Sequence, residues 1–106
     1  MISMDEIRNL ADRIAQEFHP EKIILFGSYA EGRPTDDSDV DLFIVLPCQG
    51  KPWEMAAVVR GRIRPSFPVD LVVRPPQELC KRLEMGDIFF QSILRNGKLL
   101  YESHNE

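Results

Sequence analysis

Basic residues are in short supply in this chain: 13 Lys and Arg stand against 17 Asp and Glu, for a formal charge of −4 at neutral pH. Nucleic-acid binders draw their affinity from neutralising phosphates, so the deficit argues against a general nucleic-acid partner. Cysteine is scarcer still, with only Cys48 and Cys80. Neither belongs to a CxxC pair or a Cys/His array, so zinc is not expected. The chain shows no basic leader followed by an apolar run, and no apolar stretch long enough to cross a bilayer. These absences predict reduced thiols, a cytoplasmic location and no membrane partner. Histidine is confined to His19 and His104, at a helix end and in the tail. Neither position suits a metal ligand or a general base.

A length of 106 residues allows one domain with a core, and leaves little for a separate substrate-binding domain. Ser3-Met4-Asp5-Glu6 has the form of a capping box, and Ile7, Leu10, Ala11, Ile14 and Phe18 follow at helical spacing, predicting a helix over 4–18 that Pro20 ends. Lys22 to Gly27 reads as a buried strand, residues 28–32 as a short helical turn, and Gly32 to Ser38 as a loop. Further strands are predicted over 40–46 and 69–73, with helices over 52–64 and about 76–85. A last helix, capped by Asp87 and stopped by Gly97, leads into a short edge strand over 98–101. The order α-β-α-β-α-β-α-α-β is that of an α/β (α+β) domain over residues 1–102, with a frayed tail at 103–106.

The chemistry concentrates in Gly27-Ser28, followed after ten residues by Asp39-Val40-Asp41-Leu42. Asp is disfavoured in strands. Side chains alternate along a strand, so Asp39 and Asp41 project to one face about 6.6 Å apart, while Val40, Leu42 and Ile44 point to the other. Two carboxylates at that spacing suit a hard cation such as magnesium, which binds through one or two carboxylates plus substrate phosphates. Gly27-Ser28 lies where a strand gives way to a helical turn. Glycine permits close backbone approach there, and N–H groups at a helix start favour anions. Asp70 interrupts a third apolar run, Pro68-Val69-Asp70-Leu71-Val72-Val73. If that strand lies beside the Val40 strand, three acids share one face and repel each other unless cations are bound.

Phe26-Gly27-Ser28-Tyr29-Ala30-Glu31-Gly32-Arg33, with Ser38-Asp39-Val40-Asp41-Leu42 and the later Asp70, resembles the signature of the DNA polymerase beta-type nucleotidyltransferase superfamily, and most closely its minimal nucleotidyltransferase branch. The resemblance runs the length of the chain. It implies a mixed sheet flanked by helices, with the site on the open side of the sheet. It also implies that Asp39, Asp41 and Asp70 are catalytic and hold two Mg2+ ions, and that Gly27 and Ser28 bind the outer phosphates of an NTP, expected to be ATP. Arg33 is a further candidate for a phosphate contact. Minimal nucleotidyltransferases are typically paired with HEPN-domain proteins, often as antitoxins. The resemblance therefore implies transfer of AMP to a tyrosine of such a partner, with release of pyrophosphate. Two alternatives stay open: a non-catalytic module that silences its partner by binding, and a transferase acting on a small hydroxylated molecule. A homo-oligomer also stays open.

Plainer readings are preferred elsewhere. Asp36, Asp37 and Ser38 read as loop residues, and Trp53 as a packing residue at a helix start. Arg60, Arg62, Arg64, Arg74 and Lys81-Arg82 read as solvated helix faces.

Overall fold

The computed structural model describes residues 1–103. Helix α1 (Met4–Phe18) leads into β1 (Lys22–Phe26) and β2 (Val40–Val45). Next come α2 (Pro52–Ile63), β3 (Val69–Arg74), α3 (Pro76–Glu84), α4 (Ile88–Asn96) and β4 (Lys98–Glu102). Every expected element is present except the short helix at 28–32. Those residues form a turn, held by hydrogen bonds from Glu31 N to the Gly27 carbonyl and from Arg33 N to the Ser28 carbonyl, so β1 is followed directly by β2. Ser3 Oγ accepts from Glu6 N at 3.1 Å to start α1, and Asp87 Oδ1 accepts from Phe90 N at 3.2 Å to start α4. The end of α1 is made one residue before Pro20: His19 takes the left-handed conformation, and its N–H donates to the Ala15 carbonyl at 3.0 Å.

The four strands form one mixed sheet in the order β3-β2-β1-β4. β1 pairs antiparallel with both β2 and β4, and β2 pairs parallel with β3. A parallel pair needs a crossover connection, and α2 supplies it. Alternation along the strands sorts the side chains into two layers. Ile23 and Leu25, with Val40, Leu42, Ile44, Val69, Leu71 and Val73, pack with Ile7, Leu10 and Ile14 of α1 and with Val59 and Ile63 of α2. The opposite face carries a smaller cluster in which Ile24, Phe43 and Val45 meet Leu79 of α3 and Phe90 and Ile93 of α4.

Gly97, which stops α4, is required by close approach. A Cβ there would lie 2.4 Å from the Ile93 carbonyl and 2.6 Å from Cγ2 of Ile24. Trp53 departs from its packing reading: it is 65 % exposed, with the Lys51 ammonium over its ring. Because α2 buries the stripe that carries Val59 and Ile63, its first turn leaves the indole outside. Most of the arginines read as solvated are engaged. Arg60 donates to the Val69 carbonyl at 2.7 Å, Arg62 pairs with Glu17, and Arg74 and Arg82 both reach Glu78. Cys48 and Cys80 are free thiols. Among the described residues no helix is long and apolar enough to cross a membrane. Ser103 N still donates to the Glu21 carbonyl at 2.9 Å; the rest of the expected tail lies outside the described residues.

Candidate active site

The parallel register sets Asp41 of β2 directly beside Asp70 of β3. Both fall on the strand positions that alternate with Leu42 and Leu71, so they share the face that carries Phe43 and Val72. The smaller hydrophobic cluster covers the middle of this face, and the acids stand at its uncovered end. Asp41 is half-buried, whereas Asp39 and Asp70 are exposed. Asp39 sits one residue before the ladder, which begins at Val40 as expected.

Burial pushes the Asp41 carboxyl above its ordinary range, and the charges of Asp70 and Asp39 push it further in the same direction. Each neighbour is therefore near enough to be felt, and the three acids form one electrostatic unit. None of the three takes part in an ion pair among the described residues.

Gly27 closes this unit from the β1 side. Phe26 is the cross-strand partner of Asp41, and the chain turns at Gly27 with φ +76°. A Cβ on Gly27 would come within 2.2 Å of Asp41 Oδ2, so the backbone approaches the carboxylate as only glycine allows. The turn that follows is held by Glu31 N donating to the Gly27 carbonyl at 3.1 Å and Arg33 N donating to the Ser28 carbonyl at 2.9 Å. The buried Tyr29 anchors it, its hydroxyl accepting from Ile2 N at 3.1 Å. Among the described residues the N–H groups of Ser28, Tyr29 and Ala30 have no protein acceptor. Successive free amides of this kind favour an anion.

The turn and the acids are thus brought together as the spacing predicts. Arg33 shares the loop, but its side chain is 78 % exposed and its guanidinium is engaged by Glu31. Asp36 and Asp37 are exposed loop residues, as read.

The donor set is of hard carboxylate oxygens clustered without a compensating cation, which fits a hard divalent ion. As placed, no group of three or more His, Cys, Asp or Glu side chains among the described residues forms a ready single-ion cage.

A cleft adjoins the site that the sequence reading passed over. It is lined by Phe26, Gly27 and Glu31 from β1 and the turn, and by Phe89, Ser92, Ile93, Asn96 and Gly97 from α4 and its end. Nothing in the local sequence marks these residues, because they meet only once α4 packs on the sheet.

This arrangement, a mixed sheet with paired acids facing a Gly-Ser turn, is that of a nucleotidyl-transferring domain. The sequence profile of the nucleotidyltransferase domain matches residues 7–94, and the chain belongs to that family. The match bears out the resemblance to the nucleotidyltransferase superfamily. A candidate protein adenylyltransferase of Methanocaldococcus jannaschii is 28% identical over 81 residues, covering 76% of this chain and 78% of that protein. A nucleotidyltransferase-like crystal structure from Sulfolobus solfataricus superposes with a TM-score of 0.65 at 20% identity, over 92% of this chain and 78% of the other. A toxin–antitoxin complex with AMP-PNP gives a TM-score of 0.56 at 24% identity, over 92% of this chain and 74% of that one. These structural likenesses carry the fold.

Proposed function

We propose that this domain transfers a nucleoside monophosphate, AMP from ATP, to a hydroxyl of a protein partner, with release of pyrophosphate. The observation that carries the reading is the side-by-side register of Asp41 and Asp70, with Gly27 pressed against the Asp41 carboxylate. Asp39, Asp41 and Asp70 would hold two divalent cations, expected to be Mg2+, which polarise the phosphoryl oxygens. The free amides of the Gly27–Ser28 turn would take the outer phosphates, and Arg33 would exchange Glu31 for one of them. Asp70, exposed on an edge strand, would receive the acceptor's proton as its oxygen bonds to the α-phosphorus. The bond from that phosphorus to the bridging oxygen then breaks, and pyrophosphate leaves on the turn side.

Adenylyl transfer to a protein agrees with the description of the M. jannaschii relative. The toxin–antitoxin complexes of similar fold, one holding AMP-PNP and one with two Asp-to-Glu substitutions, agree with a toxin as the partner. The acceptor we propose is a tyrosine of a HEPN-type toxin, with this chain as the antitoxin, acting in the cytoplasm.

The test uses ATP labelled at the α-phosphate, Mg2+ and the product of the adjacent gene. Label should appear on the partner and vanish with Asp41→Asn. Inhibition of the partner that persists in Asp41→Asn without label would establish silencing by binding instead.

A further inference from the structure

The cleft beside the turn has a volume of about 140 Å³. That is well short of the roughly 300 Å³ at which pockets for whole drug-sized ligands begin, so it suits one flat ring system rather than an entire nucleotide. Its aromatic wall is the edge-to-face pair Phe26 and Phe89, whose centroids are 5.9 Å apart. Polar residues stand within the same lining: Ser92, Asn96 and Glu31, the last with its carboxylate paired to Arg33. Asn96 Nδ2 donates to Ser92 Oγ at 3.3 Å, which uses one of the two amide hydrogens and leaves the amide a further donor and the Oδ1 acceptor. An apolar wall with a paired donor and acceptor matches a nucleobase. The amide edge of an asparagine in particular pairs with the adjacent amino group and ring nitrogen of adenine.

Position separates the nucleobase from the other aromatic candidate, the ring of an acceptor tyrosine. Gly27 contributes both to the cleft and to the contact with Asp41. The cleft therefore opens off the turn assigned to the outer phosphates. In-line displacement sets the acceptor and the departing pyrophosphate on opposite sides of the α-phosphorus. An acceptor must then enter over the β3 edge at Asp70, away from Gly27. What remains to occupy the turn side is the nucleotide itself, curled so that its base returns toward the phosphates.

We propose that this cleft is the adenine subsite, with Phe89 as the wall against the ring and Asn96 as the residue that reads its edge. The inference rests on the nucleotidyltransferase reading above and adds to it the residues that choose the nucleotide. Phe89 and Asn96 are exposed and lie outside the acidic site, so their replacement leaves the core intact.

The experiment is equilibrium binding by calorimetry, with Mg2+ present, of ATP, GTP, CTP, UTP and inorganic tripolyphosphate to the wild-type protein and to Phe89→Ala and Asn96→Ala. ATP should bind about tenfold or more tighter than tripolyphosphate, and each substitution should erase about tenfold of that margin, the range of a lost base stack or base-edge contact. Tripolyphosphate binding should be unchanged in both variants. ATP binding that is equal in wild type and both variants, or no tighter than tripolyphosphate, overturns the adenine subsite while leaving the phosphate site standing. Binding of neither ATP nor tripolyphosphate by the wild type defeats the functional reading and this inference together.

Discussion

The two faces of the sheet are built to different ends. One is sealed: α1 and α2 cover it from edge to edge, and Leu42, Ile44 and Val73 are fully buried there. The other is covered in its middle by α3 and α4, and Asp41, Asp70 and the Gly27 turn occupy the end left open. Adjacent residues on one strand serve both, since Leu42 faces the closed layer while Asp41 faces the open end. Hydrophobic burial supplies the rigidity on one side of the sheet that holds like charges together on the other.

The largest effect of a single substitution falls on the open face. Asp70→Asn should lower adenylyl transfer on the order of a thousandfold, about 4 kcal/mol of transition-state stabilisation, with an unchanged circular dichroism spectrum. On the closed face the effect falls on stability instead. Leu42→Ala should cost about 2–5 kcal/mol in urea unfolding through the cavity it leaves. Phe89→Ala, at the rim of the open face, should cost less, about 1 kcal/mol in the same assay, from its edge-to-face contacts with Phe26 and Phe90.

Gly27→Ala touches both roles. Its φ is left-handed, and its Cβ would strike the Asp41 carboxylate. About 1–2 kcal/mol of stability should be lost in urea unfolding, and transfer should fall because Asp41 is displaced. The smallest effect is electrostatic. The Asp41 carboxyl is raised first by burial and then by Asp70 and Asp39. An acid whose pKa is raised on folding favours the fold while protonated. That contribution is present below the unfolded pKa and is lost as pH rises through the folded value. In a metal-free buffer at neutral pH, Asp41→Asn should therefore melt slightly above the wild type, and the difference should vanish below the unfolded pKa. Thermal melts with chelator across the acid range check this.

Much of this organisation is legible in the residues. The apolar runs at Ile23 to Phe26, Val40 to Leu46 and Val69 to Val73 place the strands, and strand alternation alone puts Asp41 opposite Leu42. The parallel neighbourhood of β2 and β3 was a condition in the sequence and became a finding in the fold. What the sequence hides depends on contacts across long separations. The cleft joins Phe26 to Phe89 and Asn96, and no local pattern marks residues that meet only after α4 docks. The exposure of Trp53 was missed for a related reason: an indole at a helix start is buried or free according to where the stripe of that helix points. Arg33 was read toward phosphate, and its nearest partner in the fold is Glu31 two residues before it.

The proposed function requires the acids at the open end to bind divalent ions together with a triphosphate. Manganese titrated against the protein in the presence of AMP-PNP, with free Mn2+ followed by its paramagnetic resonance signal, tests it directly. The wild type should bind Mn2+ in a nucleotide-dependent manner, and Asp41→Asn and Asp70→Asn should each weaken that binding at least about tenfold, as loss of a charged ligand requires. Equal Mn2+ binding by the wild type and both variants would contradict it.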